Sequence, residues 1–249
     1  MHFKIVPPIG ARYWVGIAIA SVCGANLGDA TVDLLELGDA ARLAALGLAF
    51  AVVVLANQLS SRGNELHYWL AILVVRAAAT SLADIGVEYA QASYATLSVL
   101  TAAILVTLLA LRNAFISKRE MLQPSYTGGS YWGTMLLAGT LGTIIGDGIG
   151  HAIHPVTLGV PISAMITGVA VAFILGAKPR REASVGTATY WVGIVAIRAF
   201  GTNLGDITAY LLSLPISIAI GALLLATVLT LWHEPINPEV TEARRGHSS

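Results

Sequence analysis

The sequence YWGTMLLAGTLGTIIGD, residues Tyr131–Asp147, decides the fold of this chain. It is an apolar run that begins with Tyr-Trp and ends with a small residue followed by Asp. The same pattern recurs at Tyr13–Asp29, Tyr68–Asp84 and Tyr190–Asp206, and Trp and Asp are 15 residues apart in all four copies, as from 132 to 147. A unit that recurs with a fixed internal spacing indicates a repeat architecture.

The composition is strongly apolar. Of the 249 residues, 56% are hydrophobic and 11% are charged, and the mean hydropathy is +0.75, whereas a soluble domain has about 25% charged residues. Apolar runs of transmembrane length recur, so membrane lipid is the expected partner. The formal charge is zero and there is no basic block, which argues against a nucleic-acid partner. The single cysteine, Cys23, excludes an internal disulfide.

Each repeat contains two apolar segments, which predicts an all-α polytopic membrane protein with eight transmembrane helices. The expected helices lie at about 13–36, 42–58, 68–91, 94–112, 131–154, 159–178, 190–213 and 215–232. The connection within each repeat is short, so its two helices should form an antiparallel hairpin. Residues 1–249 are expected to be one transmembrane domain, with repeats at 13–58, 68–112, 131–178 and 190–232 and tails at 1–12 and 233–249. No cleaved signal peptide is expected.

The distribution of Lys and Arg predicts the orientation. In the expected topology Arg42 alone lies on the face opposite the termini. The face that holds both termini carries Lys4, Arg12, Arg62, Arg112, Lys118, Arg119, Lys178, Arg180, Arg181, Arg244 and Arg245. The positive-inside rule therefore predicts a multi-pass protein of the bacterial inner membrane with both termini in the cytoplasm.

Two further expectations follow from this topology. Each repeat has an even number of helices, so all four repeats share one orientation, with pseudo-symmetry about the membrane normal. The Tyr-Trp pairs then lie at the cytoplasmic interface of the membrane, where an aromatic anchor belt is their expected role.

The four repeat Asp residues are predicted to lie at one depth. A helix rises about 1.5 Å per residue, so each Asp is roughly 22 Å from the Trp level, in the outer half of a hydrocarbon core about 30 Å thick. Small residues stand five and one positions before each Asp, a spacing that lets helices approach closely. The first helices of the repeats are therefore expected to pack together. Their Asp residues, which should face a common interior, are Asp29, Asp84, Asp147 and Asp206.

A polar stripe is predicted to continue from each Asp, because positions four and seven residues later share its helix face. These positions hold residues that bind protons or cations through O or N: Asp33, Glu36, Glu88, Gln91, His151, His154, Tyr210 and Ser213. Seven acids on the stripes outnumber the two arginines, Arg76 and Arg198, that stand eight residues before their Asp. A negative and partly dry cavity attracts cations.

Carboxylates together with imidazoles suit Mn, Fe, Co, Ni or Zn. The candidate metal ligands are Asp29, Asp33, Asp84, Glu88, Asp147, His151, His154 and Asp206. Two other interpretations stay open. The Asp residues could belong to a structural network with Arg76 and Arg198, and the histidines could be only interfacial. The two arginines are interpreted as counter-ions of the Asp residues, as a positive barrier or gate that limits leak, or as salt-bridge partners.

The sequence does not support an enzymatic function. The only lysines, Lys4, Lys118 and Lys178, lie in tails or loops, so no retinal Schiff base can form inside the membrane. The chain has no Gly-x-x-x-x-Gly-Lys phosphate loop and no His-Glu-x-x-His motif. We therefore expect no catalytic activity and no permanently bound cofactor.

The four Tyr-Trp…Gly/Ala-Asp copies resemble a bacterial membrane-protein family of unknown function. That family has four tandem repeats, each with two transmembrane helices and a characteristic tryptophan, and the resemblance extends from about Tyr13 to Trp232. Its even repeats resemble Arg-Thr-x-Gly-Thr-x-Leu-Gly-Asp, which Arg198–Asp206 matches well, whereas repeat two departs at Ala83. Its odd repeats resemble Thr-Thr-x-Gly-Glu-Thr-x-Gly-Asp, and here Ala25 and Thr143 fall near the Glu. The resemblance implies the fold and no particular function.

Together these observations predict a secondary transporter or exporter of a divalent metal cation, with the metal as substrate and proton exchange at the Asp residues as the driving reaction. One alternative is a transporter or channel for an organic cation or another small solute, in which the acids serve protons only. The other is a structural membrane scaffold. A homo-oligomer is compatible with each of these functions.

Overall fold

The computed structural model describes residues 3–61, 64–115, 127–176 and 188–232. These residues form eight helices and no strand. The helices are α1 Ala11–Asp33, α2 Asp39–Leu59, α3 Glu65–Ala90, α4 Tyr94–Phe115, α5 Gly129–Ala152, α6 Val156–Gly176, α7 Ala188–Leu212 and α8 Leu214–Leu231. Each begins and ends within three residues of the bounds predicted from the sequence, so the all-α class and the helix positions are confirmed.

Six of the eight helices are long and apolar enough to cross a membrane, namely α1, α2, α3, α4, α6 and α8. The remaining two, α5 and α7, are 24 and 25 residues long but are not among these candidate membrane spans. Their buried residues include several Gly and Thr, and in α7 also Asn203 and Arg198. The structure therefore fits a multi-pass helical membrane protein.

Four helices form the centre of the molecule, and four surround them. The inner helices α1, α3, α5 and α7 pack in a closed cycle, in which α1 contacts α3, α3 contacts α5, α5 contacts α7 and α7 contacts α1. Each outer helix packs against the inner helix that begins the next repeat: α2 against α3, α4 against α5, α6 against α7, and α8 back against α1. The inner helices are therefore shielded from the surroundings by helices of a neighbouring repeat.

The outer helices present apolar side chains away from the bundle. On α2, only Arg42 and Asn57 are buried, whereas Leu48, Val52 and Leu55 are more than half exposed. A soluble protein rarely exposes a continuous apolar surface of this kind. This surface is suited to contact with lipid chains.

Small residues bring the inner helices together, as the sequence predicts. A Cβ atom added at Gly142 of α5 would lie 2.4 Å from the Cβ of Arg198 on α7, and one at Gly201 would lie 2.4 Å from the Cβ of Ser21 on α1. These distances are shorter than any normal contact, so side chains at these positions would force the helices apart. The close packing places the polar side chains of four helices within reach of one another.

Candidate functional site

The Tyr-Trp pairs lie inside the bundle, and their interpretation as a lipid-facing anchor belt is wrong. All four Tyr residues are at most 2% exposed. Three of the Trp residues are also buried, with exposures of 1% for Trp69, 3% for Trp191 and 5% for Trp132, whereas Trp14 is partly exposed. The Trp rings pack between neighbouring helices, and a Cβ at Gly16 would lie 2.5 Å from the ring of Trp69. The pairs therefore hold inner helices together at the end of the bundle where those helices begin.

Four tyrosine hydroxyls form a closed square, which we call the tyrosine ring (Tyr13, Tyr68, Tyr131 and Tyr190). The oxygen of Tyr13 lies 3.1 Å from that of Tyr68 and 2.5 Å from that of Tyr190. The oxygen of Tyr131 lies 2.6 Å from that of Tyr68 and 3.4 Å from that of Tyr190. Each hydroxyl can donate one hydrogen bond and accept another, so four hydrogen bonds can connect the corners of the ring.

The side chains after each Tyr form layers at four-residue intervals along the inner helices. The first layer is apolar and at most 1% exposed: Ile17, Ile72, Met135 and Ile194. The second holds the arginines: Ser21, Arg76, Gly139 and Arg198. The third is Ala25, Thr80, Thr143 and Thr202, all buried. The fourth is the set of repeat Asp residues. Positions four apart lie on nearly the same face of a helix, which explains why one fixed spacing produces these layers.

Arg76 connects all four inner helices. Its Nη1 donates to Thr80 Oγ1 (3.0 Å) and to Thr143 Oγ1 on α5 (2.7 Å). Its Nη2 donates to Thr202 Oγ1 on α7 (2.7 Å) and to the carbonyl of Arg198 (3.4 Å), and its Nε donates to the carbonyl of Ser21 on α1 (3.2 Å). The guanidinium is fully buried, and these neutral acceptors satisfy its donors.

Arg198 occupies the same layer but extends toward the tyrosine ring. Its Nη1 donates to Ser21 Oγ at 3.1 Å, and its Nη2 lies 3.6 Å from Met135 Sδ in the apolar layer. Its electrostatic neighbours are the four ring tyrosines, whereas those of Arg76 include Asp29, Asp147 and Asp206. Two arginines from the same column of the repeat therefore face opposite ends of the bundle.

Within the residues that the structure describes, neither Arg76 nor Arg198 forms an ion pair with a carboxylate. The interpretation of these arginines as salt-bridge partners is therefore wrong. The reason is geometric. The threonine layer lies between Arg76 and the Asp layer and accepts hydrogen bonds from Arg76, whereas Arg198 extends away from the Asp layer.

The four repeat Asp residues, which we call the aspartate cluster, stand at the other end of these layers. Each is half-buried. Electrostatic interactions connect Asp29 with Asp206 and Asp84, Asp147 with Asp84 and Asp29, and Asp206 with Asp147. Arg76 interacts with all of them. The structure thus brings together four carboxyl groups from four inner helices, next to one buried positive charge.

Arg42 is a site residue that the sequence analysis did not identify. It is 4% exposed, its Nη2 lies 2.7 Å from Asp39 Oδ1, and its Nη1 lies 3.9 Å from Asp84 Oδ2. The sequence did contain a signal for Arg42, because it is the one basic residue on its face of the predicted topology. Asp84 is therefore the member of the aspartate cluster with an ion-pair partner, while Asp29, Asp147 and Asp206 have none among the described residues.

The polar stripe beyond the aspartate cluster continues for one turn of each inner helix and then ends. At the positions four residues after Asp, the side chains of Asp33, Glu88, His151 and Tyr210 are exposed. At the positions seven residues after Asp, the chain has left the helix, so the prediction of a shared helix face is wrong there. Glu36, Gln91 and Ser213 have left-handed backbones with φ of 51°, 47° and 72°, and His154 follows the end of α5. These residues reverse the chain into the outer helices.

The predicted metal ligands are not assembled into a preformed site. In the described parts of the chain, no group of three or more His, Cys, Asp or Glu side chains is placed to hold one metal ion. His151 stacks on the ring of Tyr94, with centroids 5.5 Å apart, and its Nδ1 lies 2.9 Å from the carbonyl of Asp147. Its Nε2 is the ring nitrogen left for a ligand, near the exposed end of α5.

Several predictions of orientation depend on residues outside the described ranges, namely Arg62, Lys118, Arg119, Lys178, Arg180, Arg181, Arg244 and Arg245. Of the described basic residues on that predicted face, Arg12 forms an ion pair with Glu65 at 2.5 Å, and Arg112 lies over the ring of Trp191. Both are therefore at the end of the bundle where the inner helices begin.

The core formed by the four inner helices has groups suited to bind protons and cations at one end. Side chains fill the rest of its length. Four carboxyl groups supply oxygen ligands and exchangeable protons, and the arginine layer supplies a fixed positive charge behind them. Comparison with protein-family models, curated proteins and solved structures finds no match to this chain. A function for this protein is therefore proposed below from the chemistry of the site.

Proposed function

We propose that this protein is a secondary transporter of a divalent metal cation in the bacterial inner membrane, driven by proton exchange at the aspartate cluster. The observation that carries this proposal is the convergence of Asp29, Asp84, Asp147 and Asp206, half-buried and in electrostatic contact with one another. Carboxylates inside a membrane protein are costly to keep and commonly mark an ion or proton pathway. The metal is the substrate and not a resident cofactor.

The proposal includes an architecture in which all eight helices cross the membrane and the four hairpins are related by an axis along its normal. Three observations support it: the closed packing cycle, the tyrosine ring with one hydroxyl from each inner helix, and the left-handed residues at equivalent positions of three repeats. Both termini lie in the cytoplasm. Reporter fusions at Ser61 and Gly38 should then report opposite sides of the membrane, and the same side for both would refute this topology.

Proton exchange follows from the charge of the cluster. Four like charges at one end of a bundle repel one another, so protons or cations must neutralise part of the cluster. A divalent cation that enters displaces protons, because a carboxylate must be deprotonated to bind a metal. Cation binding is therefore expected to weaken as the pH falls, since protons then compete for the same oxygens.

The arginine layer makes access to the aspartate cluster asymmetric. A cation that reaches the aspartate cluster meets the fixed charge of Arg76 and, behind it, that of Arg198. Passage along the axis is then opposed by electrostatic repulsion, which is strong where water is excluded. In this conformation the cluster accepts a cation from the end where the inner helices finish, and release on the other side needs a conformational change.

Ion-dependent thermal stability of the purified protein tests the proposal. A panel of divalent ions should stabilise the wild type at neutral pH and stabilise it less at low pH. Asp147→Asn keeps the shape of the side chain and removes its charge, so this variant should fold but lose the response. Asp29→Asn and Asp206→Asn should behave similarly if the site is shared.

Tyr210→Phe is a suitable control, because Tyr210 is 84% exposed and stands four residues beyond Asp206. This variant should keep the full response to the ions. If the wild type responds to no divalent ion at either pH, the metal proposal is wrong.

A second candidate is transport of an organic cation, with the carboxyl groups binding protons only. The observation that favours it is that no three candidate ligands converge on one point in the described residues. An organic cation is larger than a metal ion and needs charge nearby more than close coordination. A panel of organic cations in the same stability assay separates the two functions.

A further inference from the structure

We propose that the tyrosine ring is the gate that closes the aspartate cluster off from the end of the bundle where the inner helices begin. The inference rests on the proposed transport function only in calling the closure a gate. The closure itself is a property of the four tyrosines, and it can be measured without any substrate.

The geometry of the ring is that of a complete seal. One phenol comes from each inner helix, and the four oxygens lie between 2.5 and 3.4 Å from their neighbours. At most 2% of any of these side chains is exposed. Neighbouring hydroxyls that are hydrogen-bonded to each other leave no opening between them for a hydrated ion.

The layers behind the ring extend the seal. The apolar layer of Ile17, Ile72, Met135 and Ile194 is at most 1% exposed, and Arg198 contacts this layer through Met135. The first side chains with substantial exposure on this path are those of the aspartate cluster. The bundle is thus closed at one end and accessible at the other, which is the asymmetry expected of one state of an alternating-access transporter.

The chemistry of the ring makes it able to open. Hydrogen bonds between phenols contribute modest net stability, since water can replace each partner. Small displacements of the inner helices would break several of these bonds together, because each oxygen takes part in two. A layer of apolar side chains of the same size would gain no hydrogen bonds to water when its side chains move apart.

The test is the accessibility of a cysteine placed directly behind the ring. Cys23 is the only natural cysteine, so Cys23→Ala removes background reaction, and Ile72→Cys introduces the reporter in the first layer. Membrane vesicles of both orientations are treated with a membrane-impermeant thiol reagent. With the ring intact, the reporter should react slowly from either side.

The decisive variant is the pair Tyr13→Phe and Tyr131→Phe. These residues are opposite corners, so the pair removes all four hydrogen bonds of the ring and keeps every aromatic ring. We expect the reporter to react at least about tenfold faster from the side where the inner helices begin, because the net stability of four hydrogen bonds exceeds what such a factor requires. Tyr94→Phe and Tyr210→Phe, the same change outside the ring, should leave the rate unchanged.

Equal reaction rates with and without the ring hydroxyls would overturn the proposal, as would faster reaction from the opposite side only. If the double variant does not fold, Tyr13→Phe alone removes two of the four bonds, and the same criteria apply to it. The assay contains no metal ion, so its outcome is independent of the ion-dependent stability of Asp147→Asn. A failure of the gate and a failure of the metal proposal can therefore be told apart.

Discussion

The guanidinium of Arg42, on the first turn of α2, lies 3.9 Å from the carboxylate of Asp84 on α3. Arg42 is buried, whereas the side chain of Asp84 is 40% exposed. One member of the aspartate cluster therefore has an ion-pair partner, whereas the other three have none within the part of the chain that the structure describes. This inequality means that the four carboxyl groups should respond differently to substitution.

Replacing Arg42 with Gln should leave Asp84 without its partner. Because Asp84 is partly solvated, we expect a loss of about 1–2 kcal/mol in the free energy of unfolding, less than for a fully buried pair. Arg42→Lys keeps the charge and should restore part of the loss. Denaturant unfolding of the purified protein measures both, and an unchanged stability of Arg42→Gln would show that the ion pair contributes nothing.

Substitutions of Arg76 and Arg198 by Gln can be compared as a matched pair. Arg76 interacts electrostatically with the aspartate cluster, and Arg198 interacts with the tyrosine ring. Under the proposed function, Arg76→Gln should raise the affinity for a divalent ion on the order of tenfold, because a nearby like charge is removed. Arg198→Gln should change that affinity much less. Isothermal titration of the two variants checks this, and equal effects would contradict the placement of Arg76 next to the cluster.

The α5–α6 hairpin leaves no room for a side chain at Gly159. A Cβ at this position would lie 2.0 Å from the carbonyl oxygen of Gly150 and 2.5 Å from that of Ile153. Both obstacles are backbone atoms, so Gly159→Ala should cost about 3 kcal/mol of stability. Gly47 has no atom within 4 Å of such a Cβ, so Gly47→Ala is the control. A shift in melting temperature for Gly159→Ala no larger than for the control would show that the hairpin can relax.

His151 provides a test of metal selectivity. It lies one helical turn beyond Asp147, and its ring stacks on Tyr94. Imidazole contributes more to Zn and Ni sites than to Mn sites. His151→Ala should therefore weaken stabilisation by Zn or Ni more than stabilisation by Mn. Equal weakening for all three ions, or none, would indicate that His151 does not bind the substrate.

The helices and the aspartate cluster could be predicted from the sequence because both depend on local patterns. Apolar runs of about 20 residues define the helices. The constant spacing from Trp14 to Asp29, and from Trp132 to Asp147, places residues of equal role at equal height. The small residues before each Asp indicate which faces meet, so the convergence of inner helices also follows from the sequence.

The tyrosine ring and the hydrogen bonds of Arg76 could not be predicted in the same way. A Tyr-Trp pair at a helix start has the composition of an anchor belt, and only the packing of four helices shows that Tyr13 and Tyr190 are adjacent. Arg76 likewise binds Thr143 and Thr202, which lie on other repeats. Which acceptor a buried arginine takes depends on the small offsets between helices, and those offsets are not encoded in residue spacing.

The residues that end the inner helices could not be predicted from helical periodicity. Helical periodicity places Glu36 and Gln91 on the same face as the preceding Asp, provided that the helix continues. Both residues instead have left-handed backbones that end the helix. Periodicity describes a helix well but contains little information about where it stops. The candidate site was therefore predicted to be longer than it is.

The packing of α8 against α1 has a consequence for how the protein is made. Each outer helix covers the inner helix that follows it in the cycle. The helix that covers α1 is α8, so α1 stays uncovered on that side until α8 has been synthesised. Until then, the face of α1 that carries Asn26 lacks Ser217, the α8 residue whose hydroxyl accepts a hydrogen bond from the Asn26 side chain at 2.6 Å. In the order of synthesis, α1 therefore precedes its covering helix by six other helices, and this part of the packing can form only after α8 has been made.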